Sequence, residues 1–233
     1  MRNDLTEIIC ILDASGSMSG YEGDVVGGIN AVLEKQKKEE GEAFVTTVVF
    51  DTRYSLLHNR IPLKGIEPMT ANDYTPGGCT ALLDAIGRTL TNMRDMHART
   101  SRSERPGHVI VTIVTDGMEN ASRRFSNAEV KRLIETCKAD GWDFAFLGAD
   151  IDAFAVGRNI GLGRDEASDF VKDGHGIGEA LEAMNIAVNL TRGGLKGKDR
   201  VLWQTGLEDD FNKRSGRRTS NSHRLHKPDT LTD

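Results

Sequence analysis

Ile8-Ile9-Cys10-Ile11-Leu12 is an unbroken apolar run between polar neighbours, the pattern of a strand buried on both faces. Beyond it, Val25, Val26, Ile29, Val32 and Leu33 recur at helical spacing up to a stretch rich in lysine and glutamate, closed by Gly41. Ala43 to Phe50 is rich in β-branched and aromatic residues and reads as a second strand. Asp51-Thr52-Arg53 is short enough for a hairpin, which makes the more polar segment Tyr54 to Asn59 an antiparallel strand at a sheet edge. Residues 61–79 hold Pro62, Pro68 and Pro76 with paired glycines, and predict a loop. Leu82, Leu83, Ile86, Leu90 and Met93 then mark a long amphipathic helix. A charged, irregular segment at 98–107 leads into a buried strand from His108 to Val114.

The second half repeats the alternation. Val130, Leu133, Ile134 and Cys137 predict a helix that ends near Gly141, followed by a strand over Trp142 to Leu147. Asp152 caps a short helix reaching about Ile160, and Asp169-Phe170-Val171 forms a short last strand. Ile177, Ala180, Leu181, Met184, Ala187 and Val188 mark the final helix. Gly174-x-Gly176-x-Gly178 in front of it lacks the dinucleotide-loop spacing and reads as a helix-entry turn. Strands alternating with helices imply an α/β chain with a parallel sheet, doubly wound by right-handed crossovers, whose ligands bind beyond the carboxyl ends of the strands. The helical pattern stops near Leu195. The chain thus divides into one domain over 1–194 and a basic, largely disordered tail over 195–233, in which Val201-Leu202-Trp203-Gln204 is able to dock a short strand or turn on the body.

The chemistry sits at the strand ends. Asp13-Ala14-Ser15-Gly16-Ser17 sets three oxygen side chains at alternate positions, which an extended chain turns to one side. Gly77-Gly78-Cys79-Thr80 offers a hydroxyl on a glycine-rich loop before a helix, and Thr115-Asp116-Gly117 ends the second buried strand with a carboxylate. Carboxylates and hydroxyls are hard oxygen ligands that suit Mg²⁺ or Mn²⁺. The set Asp13-x-Ser15-x-Ser17, Thr80 and Asp116 resembles the metal-ion-dependent adhesion site (MIDAS) of von Willebrand factor type A domains, over roughly residues 5–190. The resemblance implies a Rossmann-like six-stranded, mostly parallel sheet with one antiparallel edge strand. It also implies a metal held by Asp13, Ser15, Ser17, Thr80 and Asp116, with Mg²⁺, Mn²⁺ or Ca²⁺ as the ion and an Asp or Glu of a partner protein as the incoming ligand.

Composition narrows the setting. The total charge of −5 divides into −8 for the body and +3 for residues 195–233, so the body lacks the basic surface that nucleic-acid binding requires. No run has the length of a membrane span and the first residues carry no signal-peptide core. Three scattered cysteines, Cys10, Cys79 and Cys137, form no disulfide framework and fit a reducing, cytoplasmic setting, with Cys79 read as a packing residue. The leading expectation is a stand-alone metal-dependent protein-binding module, similar to bacterial and phage type A domain proteins that work within larger assemblies. It is not expected to be an enzyme. A Mg²⁺-dependent phosphoester hydrolase is the alternative, yet the three core loops hold no His, Lys or Arg before Arg123 to act as a cationic clamp. Nucleic-acid binding through residues 213–227 is the third reading. Around the site, Glu119 and Asn120 are placed to shape the rim, and Asp150 and Asp152 to reinforce the metal through water.

Overall fold

Strand β1 (Arg2–Asp13) has a parallel neighbour on each side, β2 (Glu42–Phe50) and β4 (Pro106–Thr115), which is why it carries apolar residues on both faces. In this computed structural model, which describes residues 1–195 and 201–215, Ile8, Cys10 and Leu12 enter one core and Ile9 and Ile11 the other. Strand β3 (Tyr54–Pro62) pairs antiparallel with β2 and lies at one edge, while β5 (Asp143–Ala149) and β6 (Ala167–Phe170) extend the sheet in parallel on the other side. The order is β3-β2-β1-β4-β5-β6, the expected doubly wound sheet with one antiparallel edge strand.

Helices cover both faces. On one side α1 (Glu22–Gln36) and α5 (Gly174–Arg192) pack through Val25, Ile29, Ile177, Leu181 and Met184. On the other, α2 (Leu82–Arg99), α3 (Asn127–Ala139) and α4 (Ala153–Asn159) pack through Leu82, Ile86, Val130, Ile134 and Ala153. The glycines before the last helix lie in its first turn, where Asp173 Oδ1 accepts from the Gly176 amide at 2.7 Å. A side chain at Gly176 would run into the Val171 carbonyl, so glycine lets the turn close against the chain entering it.

The tail differs from expectation. Leu202–Arg214, expected to fall in a disordered segment, forms a sixth helix, α6, that packs on α5 and β6. Trp203 and Leu207 are its buried anchors, and Gln204 donates to the carbonyls of Arg164 and Ala167 at 2.9 and 2.7 Å beside edge strand β6. Two anchors followed by Glu208, Asp209 and Asp210 make too short an apolar stripe for periodicity to reveal a helix. Residues 196–200 and 216–233, the remainder of the expected disordered tail and most of the segment considered for nucleic acid, lie outside the described residues.

Candidate metal centre

The sheet order reverses between β1 and β4, because β1 continues through α1 to β2 on one side while β4 leads to β5 on the other. In a doubly wound sheet the loops leaving two such strands diverge, and ligands bind beyond their carboxyl ends. Register places Leu12 opposite Val114, which sets Asp13 beside Thr115. Thr115 Oγ1 donates to Asp13 Oδ2 at 2.5 Å, and Asp13 Oδ1 accepts from the Ser15 amide at 2.7 Å in an Asx turn.

Ser17 arrives by a different route from the one expected. The chain leaves the extended conformation at Gly16–Met18, a single 3₁₀ turn whose Met18 plugs into the core. That turn, and not strand alternation, sets Ser17 Oγ 3.1 Å from Ser15 Oγ and 2.8 Å from Asp116 Oδ1, to which it donates.

Thr80 is drawn in by the glycine loop. The Gly77 amide donates to Ala14 O at 2.8 Å, the Gly16 amide donates to Gly78 O at 3.1 Å, and the buried Tyr74 hydroxyl donates to the Asp13 carbonyl. Gly78 has φ +63°, a conformation in which a side chain would also crowd Thr52 Oγ1. Thr80 and Asn120 exchange two hydrogen bonds, Thr80 N to Asn120 Oδ1 at 2.9 Å and Asn120 N to Thr80 O at 3.1 Å. A Cβ on Gly117 would stand 2.6 Å from Thr80 Oγ1, so the Thr80 hydroxyl lies directly against the residue after Asp116.

The loop after β4 caps α2. Glu119 Oε2 accepts from the Leu83 amide at 2.8 Å and Ser122 Oγ from the Asp84 amide at 3.0 Å. Asp84 answers by accepting from the amides of Arg123, Arg124 and Phe125 at 3.0, 2.8 and 2.9 Å. Glu119 and Asn120 therefore hold two loops together where a rim role was expected. Asp152 likewise caps α4, accepting from the Ala155 amide at 2.9 Å.

Asp13, Ser15, Thr80 and Asp116 are buried, with Ser17 on the exposed side. Burial pushes the Asp13 carboxyl above the ordinary range and the Asp116 charge adds to this, against the donors Thr115 and Ser15. Burial, together with Asp13 and Asp116, also drives the Tyr74 hydroxyl far above its usual value, keeping it a neutral donor. Asp116 Oδ2 is buried with no hydrogen-bond partner, a costly position for a charged oxygen unless a cation faces it.

One cation does. Lys172 Nζ, carried on the turn between β6 and α5, lies 2.8 Å from Asp116 Oδ2 and 3.8 Å from Asp150 Oδ2. Burial works against its charge, yet pairing with the two carboxylates holds its pKa above the ordinary value. The core loops themselves hold no cation before Arg123, and Lys172 reaches them from outside, on the turn after β6. Nothing along the chain marks it, because it follows a strand four residues long and shares no motif with the loops it joins. Cys79, expected to pack, is exposed, since the loop turns its buried face to Thr80.

The donor set passes the test of fit for a hard divalent cation: two carboxylates from adjacent strand ends and three hydroxyls, with one buried carboxylate oxygen already facing a cation, Lys172.

Comparison with known proteins bears on the same region. The family model described as "VWA domain containing CoxE-like protein" matches residues 2–142. No curated protein matches the sequence. Among solved structures, proximal thread matrix protein 1 from the mussel byssus is similar at 16% identity and a TM-score of 0.53, over 78% of this chain and 45% of that one. A structure of the same mussel protein with a zinc-occupied MIDAS motif is similar at 15% identity and a TM-score of 0.52, over 77% of this chain and 44% of that one. The von Willebrand factor type A protein from Catenulispora acidiphila gives 16% identity and a TM-score of 0.51, over 77% of this chain and 42% of that one. The chain thus spans under half the length of these proteins, and at such identities the likeness is one of fold.

Proposed function

The chain belongs to the VWA domain family, and from that premise we propose that it is a metal-dependent protein-binding module that captures an Asp or Glu carboxylate of a partner protein. Asp13, Ser15, Ser17, Thr80 and Asp116 are the residues that would hold a divalent cation, Mg²⁺ or Mn²⁺ in first place and Ca²⁺ as the larger alternative. The bound ion supplies Lewis acidity toward the partner's carboxylate. The observation that carries this reading is the convergence of Ser17 on Asp116, a buried carboxylate whose second oxygen faces only the Lys172 ammonium among the described residues.

The chain's own residues do the positioning. Thr115 and the Ser15 amide fix both oxygens of Asp13, leaving it unable to rotate. The paired hydrogen bonds between Thr80 and Asn120 hold a hydroxyl beside Asp116. Two carboxylates about balance a divalent ion while the hydroxyls add no charge, so an incoming carboxylate meets no surplus negative charge at the ion. Among the described residues, no histidine hydrogen-bonds or pairs with these five side chains, and Lys172 is engaged by carboxylates. That arrangement favours binding over phosphoester hydrolysis, which needs a base near its nucleophile. A cytoplasmic, intracellular assembly, of the bacterial or phage kind, is the proposed setting, supported by free Cys10 and Cys137 in the core. No described helix is long and apolar enough to cross a membrane.

An affinity capture from lysate in Mg²⁺ and in EDTA, comparing wild type with Asp13→Ala, tests the reading. A partner retained only by wild type in Mg²⁺ supports it. Capture that is indifferent to both EDTA and the substitution overturns it.

A further inference from the structure

Lys172 has no place in the set of ligands drawn above, yet its ammonium makes the nearest charged contact to Asp116, at the oxygen that Ser17 does not reach. The Lys172 side chain is 19% exposed and that of Asp116 is fully buried, so this pair is little screened by solvent. Asp150, 65% exposed, is the second carboxylate within reach of the same ammonium, at 3.8 Å. It sits at φ +52° just after β5, so the backbone there is bent to present it.

Resting on the metal-site reading, we propose that Lys172 sets the affinity and the ligand preference of the centre. Its ammonium and a divalent cation are alternatives at Asp116 Oδ2, and Asp150 is the partner that receives the lysine when a cation is taken up. Charge counting gives the consequence. Asp13, Asp116, Asp150 and Lys172 sum to −2, and a divalent ion brings that to zero, whereas without the lysine the same groups sum to −3 and reach only −1. The lysine therefore opposes uptake of the metal but keeps the loaded centre from carrying a net negative charge. A neutral centre admits a carboxylate as the next ligand, which a centre of −1 would repel. Within the family's binding site Lys172 acts as a specificity-determining residue.

The test uses Mn²⁺ as the probe, with calorimetry on the full chain and on Lys172→Met, Lys172→Arg, Asp150→Asn and the Met/Asn double variant. Lys172→Met is expected to bind Mn²⁺ about tenfold more tightly than wild type, and Lys172→Arg to stay near wild type. In EDTA the Met variant melts at a lower temperature, because Asp116 loses its counter-charge. The exposed Asp150→Asn change, which leaves folding intact, is expected to weaken Mn²⁺ binding severalfold in wild type and to have little effect in the Lys172→Met background. Mn²⁺ affinity in Lys172→Met that equals or falls below wild type overturns the proposal, as does an equal Asp150→Asn effect in both backgrounds. Absence of Mn²⁺ uptake by wild type and every variant overturns the underlying metal reading instead.

Discussion

Ser17 and Asp116 are 99 residues apart in the chain and are joined by a 2.8 Å hydrogen bond from the serine hydroxyl to Asp116 Oδ1. The contact exists because β1 and β4 are parallel neighbours whose loops leave on opposite sides. It closes the ring of oxygen side chains that begins at Asp13.

Donors on the two sides of this ring should respond differently to removal. Ser17 is exposed, and Lys172 still faces Asp116 when the serine hydroxyl is gone, so Ser17→Ala should change stability by less than about 1 kcal/mol while weakening Mn²⁺ binding. Thr115→Val keeps volume but leaves Asp13 Oδ2 buried without its donor, and should cost about 1–3 kcal/mol. Urea unfolding of the two variants checks this. Equal midpoints for both would show that the Thr115 bond does not hold Asp13.

Gly117→Ala introduces a Cβ 2.6 Å from Thr80 Oγ1 against a loop held by two hydrogen bonds to Asn120. Those bonds fix the threonine backbone, so the hydroxyl can clear the new Cβ only by turning away about χ1, and overpacking of about 1–3 kcal/mol is expected. Mn²⁺ affinity should fall with it. Calorimetry that finds wild-type affinity in this variant would remove Thr80 from the ligand set.

Asp84 carries a pH dependence of known sign. Burial raises its pKa, but the amides of Arg123, Arg124 and Phe125 outweigh this and hold it below the ordinary 3.8. A depressed folded-state value means that the carboxylate's stabilisation is fully present above the ordinary value and is lost as pH falls through the lower one. The stability gap between wild type and Asp84→Asn should therefore be wide at about pH 6 and shrink below about pH 4. A gap independent of pH over that range would mean that the capping does not depend on charge.

Thiol reactivity should be uneven. Burial pushes the Cys10 and Cys137 thiols up to about 12, whereas Cys79 is exposed on the loop before Thr80. Under native conditions a disulfide reagent should label Cys79 alone, with the other two reacting only on unfolding. Mass spectrometry of the labelled chain reads the site directly, and rapid native labelling of Cys137 would contradict the packing of α3.

Trp203 tests the sixth helix. It is 4% exposed between α5 and β6, so Trp203→Ala in the full chain should lose about 3–5 kcal/mol. A melting temperature unmoved by the substitution would return residues 201–215 to a tail.

Most of the sheet is legible in the amino-acid sequence. Ile8 to Leu12 and His108 to Val114 are apolar at every position, or nearly so, because both faces of a central strand are covered, and Tyr54 to Asn59 is polar because it lies at an edge. The centre is legible as residue types at strand ends. The path by which Ser17 reaches Asp116 is not, since a 3₁₀ turn looks the same in sequence as a continued strand. Helix α6 is hidden because two anchors, Trp203 and Leu207, make too weak a periodic signal.

Local preference and alternating polarity are properties of neighbouring residues, so the strand and helix order and the oxygen-bearing motif can be read from the chain alone. Which side chains face one another is a property of the sheet. The pairing of Lys172 with Asp116, the capping of α2 by Glu119 and the exposure of Cys79 arise where distant loops meet at the reversal between β1 and β4. No spacing along the chain encodes these contacts, because they depend on strand order and register, and those are set by burying both faces of the sheet at once.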